Sequence, residues 1–363
     1  MGAHFTALVA WLLLSTGAAQ AQEYLREEIR IPMPAAGRAG LEALFVKPNL
    51  PGRLPLVLIN HGSPRKPEDR QGMTPLAFVP HAMEFARRGF AVAIVMRRGY
   101  GDSGGGYAES SGPCANADYF ASANAAVADA RAALAHLTKR PDIDATKVLS
   151  VGQSAGGFTT VALTGEPPAG LVAAINFAGG RGSLKDDEVC NPNGLVNAFA
   201  AFGKRSRVPM LWVYTENDHF FGPALAQRFH EAFSRGGGKV EFIKAPAFGR
   251  DGHSLFAEGI PLWLPYVDGF LKKQNLVLRE TPLPLPPRPN IAPPKQLSEA
   301  GRKAFEDFLT RPPHRAFAMS PKGAYGWQSG RRTVQDASKT ALERCLKHGT
   351  DCNVVVIDDK PAP

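Results

Sequence analysis

From residue 41 the chain alternates short apolar runs with longer amphipathic stretches. LEALFVKP (41–48), LPLVLIN (54–60), FAVAIVM (90–96), KVLSVG (147–152), GLVAAINF (170–177), VPMLWVYTE (208–216) and KVEFIKA (239–245) read as strands. Between them, HAMEFARRG (81–89), the alanine-rich 117–139, the stretch after Ser154, and segments near 221–235 and 261–273 read as helices. Runs of this length that are apolar throughout bury both faces, and helices alternating with them predict a mostly parallel sheet covered on each side. Gly and Pro mark the joints.

The pattern breaks at residues 281–296, TPLPLPPRPNIAPPKQ, where seven of sixteen positions are proline. No helix or central strand tolerates that density, so this is a semi-rigid linker or a strap over the surface. It divides a catalytic region, 22–280, from a small C-terminal unit, 297–363. In the latter a helix from Leu297 with Ser298 as cap, a strand at 316–319, a helix near 334–347 and a strand at 353–358 are expected. At the other end, FTALVAWLLL (5–14) is too short to span a bilayer, and Ala19 and Ala21 follow it in small-x-small spacing. This predicts a signal peptide, 1–21, cleaved before Gln22, with an uncleaved anchor or a buried N-terminal helix as alternatives. The expected location is secreted or periplasmic, without stable membrane insertion.

Charge changes the picture little. The 42 Lys and Arg exceed the 33 Asp and Glu, and residues 271–363 hold 16 of the former against 9 of the latter. The basic tail is a solvated face or a contact for an anionic surface or polymer. Basic and aromatic residues do not interleave as a nucleic-acid site requires, so no nucleic-acid partner is expected. The four cysteines, Cys114, Cys190, Cys345 and Cys352, suggest disulfides in an exported chain. A local Cys345–Cys352 bridge would leave Cys114 to pair with Cys190. Sequence allows three pairings, or four buried thiols.

The chemistry centres on VLSVGQSAGG (148–157). Gly152-Gln153-Ser154-Ala155-Gly156 is a G-x-S-x-G turn directly after an expected strand and before an expected helix, which makes Ser154 the candidate nucleophile. A serine hydroxyl needs a base, and the base needs a carboxylate that orients it. His253, after the strand at 239–245, and Asp218, after the strand at 208–216, occupy the matching strand-end loops. His219, Asp251 and Glu216 are local rivals, Asp251 reading better as a loop former. The Ala155 amide is one expected oxyanion donor. The other is the Ser63 amide, or that of Gly62, in the His61-Gly62 loop after LPLVLIN. His61 itself reads as bracing that loop. In MRRGYGDSGGG (96–106), Gly99, Gly101 and Gly104 permit a tight turn, with Arg98 either paired to Asp102 or meeting an anionic substrate. Arg98, Arg181, Asp186 and Asp187 are candidate anchors for a peptide terminus. No histidine spacing argues for a metal, and no cofactor is expected.

NHGSP, RRGYGDSGG, GQSAGG and the Asp218 and His253 loops arrive in an order that resembles the α/β-hydrolase superfamily over residues 40–275, near its dienelactone-hydrolase-like and prolyl-oligopeptidase-like branches. The resemblance implies an eight-stranded, mostly parallel sheet. Dienelactone hydrolases usually carry cysteine where Ser154 stands, and the peptidase branch often carries a propeller for which this chain has no room. Residues 312–358 resemble a small cysteine-containing unit at the ends of exported bacterial proteins, a likeness that names no chemistry. The expected activity is a serine carboxylic-ester hydrolase acting on a small or medium ester, with an exported peptidase or amidase of short peptides as alternative. Residues 180–207 and 103–120 are expected to form at most a short cap, and a Cys114–Cys190 bridge would make it a rigid rim.

Overall fold

Every apolar run named above is a strand in the computed structural model, which describes residues 24–362. The expected signal segment lies outside the described residues. The strands are β1 (Tyr24–Ile31), β2 (Leu41–Pro48), β3 (Leu54–Asn60), β4 (Ala91–Val95), β5 (Ile143–Gln153) and β6 (Leu171–Phe177), a small hairpin β7 (Ser183–Lys185) and β8 (Glu188–Val189), then β9 (Met210–Thr215) and β10 (Val240–Ala245). All but the hairpin form one eight-stranded sheet in the order β1-β2-β4-β3-β5-β6-β9-β10. From β4 to β10 the neighbours are parallel, and β2 is antiparallel to both β1 and β4.

Side chains alternate across this sheet. On β4, Ala91, Ala93 and Val95 face one apolar layer and Val92 and Ile94 the other. The first layer is closed by α2 (Tyr119–Leu137), α3 (Ala155–Gly165), α4 (Pro192–Arg205) and α5 (Pro223–Arg235), where Trp212 meets Phe199 and Phe233. The second is closed by α1 (Val79–Arg87), α6 (Leu255–Glu258) and α7 (Ile260–Lys273), around Trp263 and Phe256.

The short hairpin β7–β8 has no apolar run to announce it, and two longer elements of the catalytic region also depart from the sequence reading. β1, YLREEIRI, was not anticipated, because it is an edge strand whose Arg26, Glu28 and Arg30 interrupt the apolar pattern, as edges that resist aggregation do. The expected cap over 180–207 is mostly α4, a layer helix that buries Leu195, Ala198 and Phe199 and packs on α3 and α5. Only 180–191 is left to rim a site.

The proline-rich segment runs as a strap. The Leu283 amide donates to the Arg87 carbonyl at 2.8 Å, and Arg87 Nε donates back to the Leu283 carbonyl at 2.6 Å. It leads to α8 (Glu299–Leu309), β11 (Ala316–Met319), β12 (Tyr325–Gln328), α9 (Val334–Leu346), β13 (Asn353–Ile357) and β14 (Lys360–Pro361). These four strands form an antiparallel sheet, β12-β11-β13-β14. Strand alternation on β11 sends Phe317 to Phe305 and Phe308 of α8, and Ala316 and Ala318 to Ala337, Ala341 and Cys345 of α9. Cys345 is bridged to Cys352, and Cys114 to Cys190. Among the described residues no helix is long and apolar enough to cross a membrane.

Candidate active site

The last turn of β5 delivers the chain to Ser154 at the N-terminus of α3. Ser154 has φ 56° and ψ −123°, a left-sided conformation that an L residue adopts at a cost and that persists where the surroundings enforce it. Enforcement comes from packing. A Cβ on Gly152 would stand 2.1 Å from the Gly156 carbonyl oxygen, and one on Gly156 would stand 2.0 Å from that of Asn60. Both positions therefore require glycine. The Ser154 amide donates to the Phe177 carbonyl at 2.9 Å, and its carbonyl accepts from Phe158 and Gly180.

The structure brings Asp218 and His253 together. His253 Nδ1 and Asp218 Oδ2 are 3.0 Å apart, both side chains being buried. The other carboxylate oxygen, Oδ1, accepts from the Phe220 and Phe221 amides at 2.7 and 2.8 Å. An acceptor fixed this way holds the imidazole with its proton on Nδ1, leaving Nε2 as the free basic nitrogen. Gln153, beside Ser154, donates from Nε2 to the His253 carbonyl at 3.1 Å and so ties the histidine loop to the serine turn. Asp251 shapes that loop, its Oδ1 accepting from the His219 and His253 amides. His219 is turned to the surface against Asp187, and Glu216 is exposed.

The loop after β3 passes close to this turn. A Cβ on Gly62 would lie 3.2 Å from the Ser154 Cβ. Ser63, Ser154 and Ala155 line one cavity of about 150 Å³. The Ala155 amide opens α3, where backbone N–H groups have no partner within the helix and face a developing negative charge favourably. His61 is fully buried: burial lowers its pKa to about 3, with nearby Arg97 acting in the same direction. It is neutral, its Nε2 accepting from the Arg97 amide at 3.0 Å and its Nδ1 directed at the Gly62 carbonyl at 2.7 Å. It braces the loop and is no base.

Arg98 is neither paired with Asp102 nor part of the cavity. Its Nε donates to the buried Asp129 at 2.6 Å and its amide to the same carboxylate at 2.7 Å. Asp102 instead meets Arg30 and Arg332. The inward cation is the preceding residue, Arg97, which forks onto Glu109. Arg181 does line the cavity, and its Nη2 donates to the same Glu109 at 2.6 Å. Burial alone would raise the Glu109 carboxyl, but Arg97 and Arg181 hold it down at about 2. Tyr100 completes this cluster, its hydroxyl 2.9 Å from Ser63 Oγ and 3.2 Å from Glu109 Oε2. Asp186 is held by Arg65, and Asp187 by His219.

The sequence reading missed several cavity residues. Phe220 lies flat on the His253 ring, centroids 3.9 Å apart and planes 9° apart, with the Arg65 guanidinium 3.6 Å from its centroid. Tyr107, Glu109 and Ser111 enter from the loop that the Cys114–Cys190 bridge fastens to residues 180–191. Arg70, Tyr107 and Glu109 carry no motif signal, and only their position around Ser154 marks them.

The sheet order and the serine at its strand–helix turn define a serine hydrolase of the α/β-hydrolase fold. Residues 37–235 match the model of the X-Pro dipeptidyl-peptidase (S15) family, and the chain belongs to that family. Among solved structures it is similar to a protein described as a dienelactone hydrolase from Klebsiella pneumoniae (TM-score 0.50, 16% identity, 71% of this chain and 100% of that one). It is also similar to Thermogutta terrifontis esterase 2 phosphoramylated by tabun (TM-score 0.51, 16% identity, 70% and 97%). A third likeness is to the Pyrococcus horikoshii acylaminoacyl peptidase (TM-score 0.50, 15% identity), of which this chain spans 43% and which covers 74% of this chain. At these identities the likenesses establish the fold. No curated protein matches the chain.

Proposed function

We propose that the protein is a serine carboxylic-ester hydrolase working through an acyl-enzyme on a small ester. Ser154 Oγ attacks the ester carbonyl while His253 Nε2 takes its proton. The oxyanion is held by the amides of Ala155 and Ser63. The tetrahedral adduct collapses, the carbon–alkoxy bond breaks, and His253 returns the proton to the leaving alkoxide. Water, deprotonated by the same nitrogen, then releases the acid and regenerates Ser154. Asp218 is a positioning residue, fixing the His253 tautomer and favouring the imidazolium that forms.

The family description suggests a second reading, release of an N-terminal dipeptide, whose substrate carries an ammonium group. The observation that favours the ester is the state of Glu109. It is the only carboxylate lining the cavity among the described residues, and it is already shared by Arg97 and Arg181. With Arg65, Arg70 and Arg181 in the same lining, an ammonium group would meet repulsion and, among the described residues, no free carboxylate. A paired panel of short-chain esters and aminoacyl-prolyl anilides, with Ser154→Ala as blank, tests the reading. Ester turnover lost in Ser154→Ala and organophosphate labelling at Ser154 are expected. Efficient anilide cleavage with inert esters would replace this reading by the peptidase one, and full activity in Ser154→Ala would remove the nucleophile.

A further inference from the structure

The cavity beside Ser154 contains a cation that no acceptor among the described residues engages. Arg70 sits in the loop between β3 and α1, and its guanidinium lies over the Tyr107 ring, 3.5 Å from the centroid. Among the described residues no carboxylate and no hydrogen-bond acceptor engages its side chain, and its Nε is buried without a partner. The other arginines of the site are engaged: Arg65 with Asp186 and Ser183, Arg97 and Arg181 with Glu109. Tyr107 is itself held, its hydroxyl donating to the Glu109 carbonyl at 3.1 Å. The Arg70 backbone is pinned as well, its carbonyl accepting from the Gly101 amide at 3.0 Å.

A guanidinium stacked face-on against a fixed ring keeps its plane and offers its edge. That edge is a fork of N–H donors matched to the two oxygens of a carboxylate. Charge points the same way. Glu109 balances one of the two buried arginines that hold it, so Arg97, Arg181 and Glu109 together retain one positive charge and Arg70 adds another. A cleft lined with such an excess concentrates anions.

We infer that Arg70 is the anion subsite of this enzyme, and that the preferred substrate is a small ester bearing a second, free carboxylate. The inference rests on the ester reading above for the bond cleaved, though the subsite itself does not need it. The cavity, at about 150 Å³, accommodates a short chain between the reacting carbonyl beside Ser154 and the carboxylate on Arg70. The carboxylate belongs either to the acyl part, as in the half-ester of a short dicarboxylic acid, or to the leaving group, as in the ester of a hydroxy acid.

Two matched pairs separate these sources: methyl butyrate against methyl hydrogen succinate, and ethyl acetate against acetoxyacetate, followed by proton release with Ser154→Ala as blank. The wild-type protein is expected to prefer the anionic member of one pair by about tenfold or more in kcat/KM, the size of effect that a charged hydrogen bond supports. The pair that shows the preference names the side that carries the charge. Arg70→Gln should lower that ratio about tenfold, and Arg70→Lys, which keeps the charge and loses the fork, by less. No preference in either pair, or a preference that survives Arg70→Gln, overturns the inference. Tyr107→Leu provides a second variant should Arg70→Gln melt early, and it should lower the same ratio by freeing the guanidinium. A protein inactive on all four esters would fail the ester reading, and calorimetry then judges the subsite alone. Methyl hydrogen succinate should bind the Ser154→Ala protein and not the Ser154→Ala/Arg70→Gln protein, and equal or absent heat in both would overturn it.

Discussion

Replacing Glu109 by glutamine keeps the side-chain shape and removes one charge from a closed cluster. The Glu109 side chain is 0% exposed, Arg97 1% and Arg181 7%. Two positive charges and one negative become two positive charges with no counter-ion, both nearly buried. Breaking a buried ion pair by removing one partner costs about 3–5 kcal/mol, because the remaining charge is left without its counter-ion. For a chain of this size about 2 °C of melting temperature goes with each kcal/mol, so Glu109→Gln should melt about 6–10 °C below wild type. Charge counting also fixes the order of the related variants. Arg181→Met leaves the Arg97–Glu109 fork neutral and should be milder. Added to Glu109→Gln, the same Arg181→Met change removes one of the two stranded charges and should raise the melting temperature of the single variant. Thermal unfolding by circular dichroism at pH 7 reads all four proteins. A Glu109→Gln protein melting within about 2 °C of wild type, or a double variant less stable than Glu109→Gln, would refute the charge argument.

Acid should destabilise the protein through two buried histidines. Burial lowers His61 to about 3 and His81 to about 4. Below the unfolded value of about 6.5 the unfolded chain takes up protons that the folded chain refuses, so stability is complete above that pH and is lost as pH falls towards the folded values. Each contributes a slope of about 1.4 kcal/mol per pH unit. His81→Phe, which fits the stack on Phe256, should reduce the slope of urea-unfolding free energy between about pH 4 and 6.5 by that amount, and an unchanged slope counts against it. Arg332→Ala removes ion pairs to Glu42 and Asp102 and a hydrogen bond to the Met73 carbonyl. At a partly exposed network this should lower stability by only about 1 kcal/mol while raising KM more than it lowers kcat, with Arg332→Lys restoring part of the loss; an unchanged KM would refute it.

The fold was legible because its central strands are buried on both faces, and a run such as LPLVLIN has few alternatives in a folded chain. Where burial is one-sided or interrupted, the signal faded. β5 begins at Ile143, four residues before the run KVLSVG, because Ala145–Lys147 bulge out where the register to β3 shifts. The charged edge strand β1 and the amphipathic α4 were missed for the same reason. At the site, the G-x-S-x-G turn and the strand-end loops of Asp218 and His253 were legible because sharp turns constrain local residue type. Arg98 and Arg97 show the limit. They are adjacent at the end of β4, and which of them points inward depends on strand phase and on where Glu109 and Asp129 lie in space. Residues that meet only in three dimensions, such as Arg70 and Tyr107, leave no local trace.

The basic tail takes on a different meaning once its contacts are traced. Its excess charge suggested a solvated face or a docking surface, yet Arg332 is directed into the catalytic region, and Arg315 is buried against Asp359. Arg332 holds the Met73 carbonyl, while Gly101 holds the Arg70 carbonyl and Asp186 holds Arg65. These three contacts fall on one loop, between β3 and α1, and that loop carries Ser63, Arg65 and Arg70 to the cavity. Backbone carbonyls secured at positions 70 and 73 leave the intervening chain little freedom, and a fork that must meet a carboxylate within a few tenths of an ångström needs that restraint. The C-terminal unit thus restrains the loop that lines the cavity, through Arg332 and the Met73 carbonyl. Removing residues 281–363 would free the same loop that Arg332→Ala loosens, and would also remove the Leu283 hydrogen bonds to Arg87 on α1. The single substitution is therefore the sharper test of how the tail serves the site.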